Sequence, residues 1–92
     1  MAKKIQHTLS VPNKLGLHIR AVSKLSSITS RYQAKIEIKN AHKTVDAKSI
    51  LGLLTLGAKQ GEQLEISAAG PDAQEAMDAI KELFSNRFDE SE

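Results

Sequence analysis

The sequence of 92 residues lacks cysteine and tryptophan altogether, and aromatic residues make up only 3% of it. The absence of cysteine excludes disulfides, thiolate zinc sites and a cysteine nucleophile. No run of about 18 apolar residues is present, so the sequence predicts no membrane-spanning helix. The first residues include no apolar segment of the kind that a secretion signal needs, and we therefore expect a cytoplasmic protein. The length predicts a single domain.

The lysines and arginines are concentrated in the first two thirds of the chain. Residues 1–60 contain eleven of them against two acidic residues, a formal charge of +9, whereas residues 61–92 contain two against nine, a formal charge of −7. Such an uneven distribution predicts a basic face for an acidic partner. Nucleic acid, an acidic protein surface and a phosphoryl group are the candidate partners, unless folding mixes the two halves.

Two hydrophobic periodicities alternate along the chain. Alternation of apolar and polar residues predicts strands at 5–11, 34–40, 44–45 and 62–68. Apolar residues three or four positions apart predict helices at 18–31, at 47–56 and after Asp72. The order β-α-β-β-α-β-α, with strands apolar mostly on one face, predicts an α+β fold. We expect an open-faced two-layer sandwich, in which a four-stranded antiparallel sheet has three helices on one side.

The third predicted helix has a recognisable start, and the chain that follows it has a distinct composition. Asp72 precedes this helix and Glu75 follows three residues later, which is the spacing of a capping box. Three of the last four residues, 89–92, are acidic. We therefore expect a loose acidic tail after a single domain of residues 1–88.

The three histidines are the residues best suited to carry chemistry. His7 alternates with polar neighbours in the first predicted strand, and His42 lies in a predicted turn. Neither has a partner at a metal-ligand spacing, so we expect structural or surface roles for both, and neither a metal nor a cofactor for the protein. His18 differs because it follows a loop around Gly16 and begins a predicted helix.

The start of a helix gives His18 two alternative roles. Unpaired N–H groups and a partial positive charge at this point stabilise an anion, so an imidazole there could carry a phosphoryl group. Arg20 could donate a charge-assisted hydrogen bond to the phosphoryl oxygens, and the helix field favours the neutral, nucleophilic imidazole. A surface histidine that only caps the helix fits this local pattern equally well.

The second predicted helix has more apolar surface than one contact with the core needs. If its other leucines point to the core, Ile50, Leu51 and Leu54 are partly exposed and form a docking surface. Ser49 opens this helix and is either a capping serine or a site of regulatory phosphorylation. The complete set of predicted docking residues is Ile19, Ser23, Lys24, Ile50, Leu51 and Leu54.

Several segments together resemble HPr, the histidine-containing phosphocarrier family of the phosphotransferase system, including its nitrogen-related branch. The segment 13–20 resembles the active-site loop of the family, and 47–52 resembles its regulatory-serine segment. The segments 57–61 and 69–71 resemble later turns. The resemblance covers essentially the whole chain, and the combination of the first two segments at this spacing is specific.

The resemblance implies a bacterial, monomeric phosphoryl shuttle with the strand order 1-4-2-3, and not an enzyme that turns over by itself. His18 would take a phosphoryl group at Nδ1 from enzyme I and pass it to a histidine of an EIIA-type protein. Enzyme I would itself be phosphorylated by phosphoenolpyruvate. Arg20 would stabilise the phosphate, and Ser49 would be the target of an HPr kinase/phosphorylase where the organism has one. We also expect the acidic half of the chain to lie largely away from the phosphohistidine.

Two residues depart from the pattern of this family. Ala21 stands where the family usually has proline after the arginine, and bulky Ile19 stands where it usually has a small residue. Proline would fix φ in the first helical turn, so alanine loosens the loop without removing the nucleophile. The acidic ending resembles the nitrogen-related branch and the serine segment resembles the sugar branch, which leaves the branch open.

Two other types of domain share this size and order of elements. An RNA-recognition domain would explain the basic half, but it reads bases with aromatic side chains on its strands. Tyr32, Phe84 and Phe88 all lie outside the predicted strands, so we expect no nucleic-acid partner. An acylphosphatase-like enzyme needs a glycine-rich phosphate loop that ends in Phe-Arg, which this sequence lacks.

Overall fold

Four strands form one antiparallel sheet in the computed structural model, which describes residues 4–92. The strands are β1 (Lys4–Ser10), β2 (Lys35–Lys39), β3 (Thr44–Asp46) and β4 (Gln63–Ala69). β4 pairs with β1 on one side and with β2 on the other, and β3 pairs with the far edge of β2. The order β1-β4-β2-β3 is the one that the family resemblance implies.

Three α-helices of the described chain cover one face of this sheet. They are α1 (Ile19–Thr29), α2 (Ile50–Thr55) and α3 (Ala73–Ser85), and a short left-handed turn, Arg87–Asp89, follows α3. The predicted α+β open-faced sandwich is therefore confirmed. Among residues 4–92, no helix is both long enough and apolar enough to cross a membrane.

The core lies between the helices and the side of the sheet that they cover. Every second residue of β2 and β4 is buried, namely Ile36, Ile38, Leu64, Ile66 and Ala68. Apolar residues three or four positions apart on α1 and α3 pack against them, including Leu25, Met77 and Ile80. Burial of each such large side chain stabilises the fold by about 1.5–3 kcal/mol. The two periodicities read from the sequence therefore mark the buried faces.

The second helix begins at Ile50, three residues after the predicted start at 47. The backbone N–H of Ala47 donates to the carbonyl of Ile36 at 2.9 Å, which keeps this segment alongside β2. Ser49 has an extended backbone, and its Oγ accepts a hydrogen bond from the N–H of Gly52 at 3.0 Å. Ser49 is therefore the N-cap of α2.

The predicted capping box at the start of α3 is wrong. The carboxylate of Asp72 makes no hydrogen bond to the helix, and instead accepts the backbone N–H groups of Gln33 and Ala34, both at 2.8 Å. The hydrogen bond from Gln33 is the main cause that lowers the pKa of Asp72. Asp72 thus ties the start of α3 to the residues just before β2, which are 38 and 39 positions away in the chain. A local sequence pattern carries no information about such a contact.

Candidate functional site

His18 lies immediately before α1 and caps its first turn, so the structure places it at the helix start that the sequence predicts. Its backbone is extended, with φ −85° and ψ 178°, and its carbonyl accepts a hydrogen bond from the N–H of Val22 at 2.9 Å. Nδ1 of the imidazole accepts a long hydrogen bond from the backbone N–H of Arg20 at 3.4 Å. Because a helix leaves its first N–H groups without intrahelical partners, Nδ1 faces the positive end of α1.

The loop before His18 is held in one shape by buried contacts. Gly16 has φ +71°, which side chains rarely adopt, and a Cβ at this position would collide with the carbonyl oxygen of Ala58. The same carbonyl accepts the N–H of Leu17 at 3.0 Å. Asn13 is completely buried, and its Nδ2 donates to the carbonyl of Gly16 at 2.8 Å. The loop therefore fixes where His18 enters the helix.

A carboxylate from the end of the chain contacts the imidazole of His18. Oε2 of Glu90 lies 2.6 Å from Nε2 of His18, and Oε1 of Glu90 accepts a hydrogen bond from Nδ2 of Asn13 at 3.0 Å. The side chains of His18 and Glu90 are only 23% and 11% exposed. The predictions of a loose tail and of acids kept away from this histidine are therefore wrong for Glu90.

Glu90 is ionised more readily than an ordinary glutamate, although it is mostly buried. Burial raises the pKa of its carboxyl group. The hydrogen bonds that Asn13 and His18 donate, together with the positive charges of a protonated His18 and of Arg20, outweigh burial, so the pKa of Glu90 lies below its ordinary value. The site therefore presents a carboxylate, which can only accept hydrogen bonds, to His18.

A left-handed turn directs Glu90 toward His18. The three residues of Arg87–Asp89 all have positive φ, from 53° to 62°. Each residue with a side chain costs about 1–2 kcal/mol in this conformation. The burial of Phe88 offsets this cost, because its ring is completely enclosed and its centroid lies 4.9 Å from that of Phe84.

Basic residues near the start of α1 share an open groove with the acidic end of the chain. The groove has a volume of about 560 Å³ and is lined by Lys14, Leu15, Arg20, Lys24 and residues 89–92. Lys24 donates from Nζ to the carbonyl of Phe88 at 3.0 Å and lies 3.5 Å from a carboxylate oxygen of Asp89. Arg20 is exposed to solvent. The predicted basic face is therefore interleaved with acidic groups and is not uniformly positive.

Large apolar side chains are exposed in the loop before α1 and at the starts of α1 and α2. This apolar patch comprises Leu15 (65% exposed), Ile19 (57%), Ile50 (39%) and Leu51 (76%). Of the other predicted docking residues, Ser23 and Lys24 are half-buried on α1, and Leu54 is partly buried against the core. Sequence reasoning missed Leu15, because a single apolar residue in a loop has no periodicity.

Hydrogen bonds join α1 to the segment that leads into α2. Oγ of Ser26 donates to the carbonyl of Lys48 at 2.9 Å, and Oγ1 of Thr29 donates to the carbonyl of Ala47 at 2.8 Å. These contacts place the capping residue Ser49 beside α1. The predicted docking residues on the two helices therefore belong to neighbouring elements of the fold.

The aromatic residues lie away from the strands. Tyr32 follows α1, Phe84 belongs to α3 and Phe88 to the left-handed turn. No aromatic residue of the chain lies in the described sheet, so the stacking platform of an RNA-recognition domain is missing.

Comparisons with known sequences agree on one family. A sequence model described as the PTS HPr component phosphorylation site matches residues 5–86. Phosphocarrier protein HPr of Xylella fastidiosa strain Temecula1 is 43% identical over 86 residues, which cover 94% of this chain and 97% of that protein. Phosphocarrier protein NPr of Shewanella violacea is 40% identical over 88 residues, which cover 96% of this chain and 97% of that protein.

The comparison with solved structures agrees with the sequences. The crystal structure of HPr-C-His from Thermoanaerobacter tengcongensis matches with a TM-score of 0.92 at 34% sequence identity. The match covers 96% of this chain and 99% of that chain. The chain therefore belongs to the HPr family, the phosphocarrier proteins of the phosphotransferase system.

Proposed function

We propose that this phosphocarrier accepts a phosphoryl group on Nδ1 of His18 from phosphoenolpyruvate-charged enzyme I and passes it to a histidine of an EIIA-type protein. The observation that carries the proposal is the position of His18 at the cap of α1, with Nδ1 turned toward a first-turn N–H group. In this proposal the protein works as a cytoplasmic monomer, and it uses no cofactor, metal or nucleic acid.

Each proposed transfer forms one phosphorus–nitrogen bond and breaks the bond that held the phosphoryl group before. The lone pair of Nδ1 attacks phosphorus on the way in, and the electron pair of the phosphorus–nitrogen bond returns to Nδ1 on the way out. The positive end of α1 stabilises the phosphoryl oxygens between the two steps. Arg20, exposed and two positions from His18, donates charge-assisted hydrogen bonds to the same oxygens.

The experiment that tests this proposal is incubation with phosphoenolpyruvate and a cognate enzyme I, followed by intact-mass analysis. We expect the whole population to gain one phosphoryl group, which is lost in acid and retained in base because it is bound to nitrogen. A chain that gains no phosphoryl group, or gains one that survives acid, would contradict the proposal.

The apolar patch is the proposed docking surface for enzyme I and for the acceptor, with Ser23, Lys24 and Leu54 at its border. Leu51→Asp places a charge where the partner would bury an apolar side chain. We expect the rate of phosphoryl uptake from limiting enzyme I to fall by at least about tenfold, as for the loss of an interface hot spot. Intact-mass analysis of samples quenched at successive times measures this rate.

The matched control for this docking prediction is Thr8→Asp. Thr8 is exposed on β1, on the side of the sheet that the helices leave open, so the variant adds the same charge at a distant surface. Thr8→Asp should keep the wild-type rate. Equal rates for Leu51→Asp and the wild type would remove the patch from the proposed interface.

Ser49 is the proposed site of regulatory phosphorylation by an HPr kinase/phosphorylase, in addition to its capping role. A negative charge there would lie next to the apolar patch and repel an acidic partner. We expect Ser49→Asp to lower the rate of phosphoryl uptake several-fold in the same assay. Ser49→Asn is the control, because asparagine caps a helix as well as aspartate does but adds no charge. If the two variants react equally fast, charge at this position does not regulate uptake.

A further inference from the structure

Both oxygens of the Glu90 carboxylate have a partner at the site. Oε2 lies 2.6 Å from Nε2 of His18, while Oε1 is held by the buried amide of Asn13 at 3.0 Å. The same amide nitrogen of Asn13 also donates to the carbonyl of Gly16 at 2.8 Å, so it belongs to the loop that leads into His18. The loop that leads into His18 therefore orients the carboxylate of Glu90 toward the imidazole.

The two hydrogen bonds of the imidazole assign its neutral tautomer. In a neutral imidazole one nitrogen carries a proton and donates, while the other accepts. An ionised carboxylate can only accept, so Nε2 of His18 must donate to Glu90. The backbone N–H of Arg20 can only donate, so Nδ1 must accept. Both contacts therefore require the proton on Nε2 and a free lone pair on Nδ1.

We propose that Glu90 is a positioning residue for phosphoryl transfer, which holds the proton of His18 on Nε2 and thereby keeps Nδ1 available as the nucleophile. The inference rests on the function proposed above. A histidine with its proton on Nδ1 has no lone pair at that atom and cannot attack phosphorus there.

The proposed role of Glu90 extends to both directions of transfer. When Nδ1 attacks, the ring of His18 becomes positively charged with its proton still on Nε2, and the adjacent carboxylate stabilises this charge. When the phosphoryl group leaves, the electron pair of the broken bond returns to Nδ1, and the ring of His18 becomes neutral again. No proton has to move in either step, because Nε2–H remains bonded to Glu90 throughout.

The last residues of the chain hold Glu90 in this position. Phe88, two residues earlier, is completely buried, and the carbonyl of Glu92, two residues later, accepts the N–H of Lys14 at 2.9 Å. The segment that carries Glu90 is therefore fixed on both sides. The other charged groups around the groove are Lys14, Arg20, Lys24, Asp89 and Glu92.

The test compares the wild type with Glu90→Gln by ¹⁵N NMR of the histidine rings in the unphosphorylated protein. The chemical shifts of Nδ1 and Nε2 report which nitrogen carries the proton. We expect only the Nε2–H form for neutral His18 in the wild type. In Glu90→Gln we expect a mixture, because an amide can donate as well as accept. The rate of phosphoryl uptake should fall roughly tenfold, as when histidines at metal sites lose their orienting partners.

The matched control is Glu92→Gln, which removes the same charge from the tail without touching His18. The side chain of Glu92 makes only a 4.0 Å contact with Lys14 and is 72% exposed, so tautomer and rate should both stay as in the wild type. An unchanged tautomer in Glu90→Gln, or an unchanged rate, overturns the inference. A wild-type chain that takes up no phosphoryl group overturns the proposed function instead, and the tautomer measurement, which needs no phosphorylation, separates the two failures.

Discussion

Replacing His18 by alanine is expected to abolish phosphoryl uptake from enzyme I. The substitution removes the nitrogen proposed to attack phosphorus, and neither of the other histidines, His7 in β1 and His42 beyond β2, lies at a helix start. The fold should survive, because the loss of an N-cap costs only about 1 kcal/mol. Intact-mass analysis after incubation with phosphoenolpyruvate and enzyme I measures uptake, and circular dichroism confirms folding.

The control for this loss is His42→Ala. His42 is exposed, and its hydrogen bond to the side chain of Asn40 comes from the backbone N–H, which the substitution leaves in place. His42→Ala should therefore gain a full phosphoryl group at the wild-type rate. If His18→Ala also gains a full phosphoryl group, the carrier histidine has been assigned to the wrong residue.

Truncating Phe88 to alanine is expected to lower the free energy of unfolding by about 3–5 kcal/mol. The side chain is completely buried and packs on Phe84, and its burial offsets the strain of a left-handed turn. Since a small domain is stable by only about 5–15 kcal/mol, this is a large fraction of the total. Urea unfolding followed by circular dichroism measures the change.

The same substitution should also alter the functional site. Without the buried side chain of Phe88, the turn is no longer stabilised in the conformation that positions Glu90 next to His18. Nε2 of His18 therefore loses its carboxylate partner. Arg87→Ala is the control, because Arg87 is exposed in the same turn and its loss should change stability by less than about 0.5 kcal/mol. A loss below about 1 kcal/mol for Phe88→Ala would mean that the turn does not depend on the buried ring.

The order of elements was predictable because each is specified by local periodicity. Every second residue of β2 and β4 is buried, and α3 buries residues three and four apart, as the sequence indicates. The start of α2 was not predictable from apolar residues alone, because Ala47 is apolar yet pairs with Ile36 of β2. Asp72 has the local spacing of a capping residue but is bonded to residues before β2, so a tertiary contact overrides the local preference.

Only those parts of the site whose residues are close together in the sequence were predictable. The position of His18, its distance in sequence from Arg20 and the cap at Ser49 depend on residues within a few positions of one another. Glu90 lies 72 positions from His18, and an acidic ending by composition alone predicts a disordered tail. The informative signal was Phe88, which follows the end of α3, because phenylalanine is one of the residues most often buried.

The basic and acidic halves of the chain meet at the site, whereas the sequence predicts that they lie apart. The basic half of the chain supplies Lys14, Arg20 and Lys24 to the groove near the start of α1. The acidic half returns to the same place, since Asp89 lies beside Lys24 and Glu90 contacts His18. One carboxylate of the acidic half is therefore part of the site, next to the cations of the basic half.

The central claim is that His18 carries the phosphoryl group on Nδ1. The most direct measurement is ¹⁵N and ³¹P NMR of the chain after phosphorylation by phosphoenolpyruvate and enzyme I, with the histidines labelled with ¹⁵N. We predict a one-bond coupling between phosphorus and Nδ1 of His18, with Nε2 of the same ring still protonated. A coupling to Nε2 of His18, or phosphorus on any other residue, would contradict it.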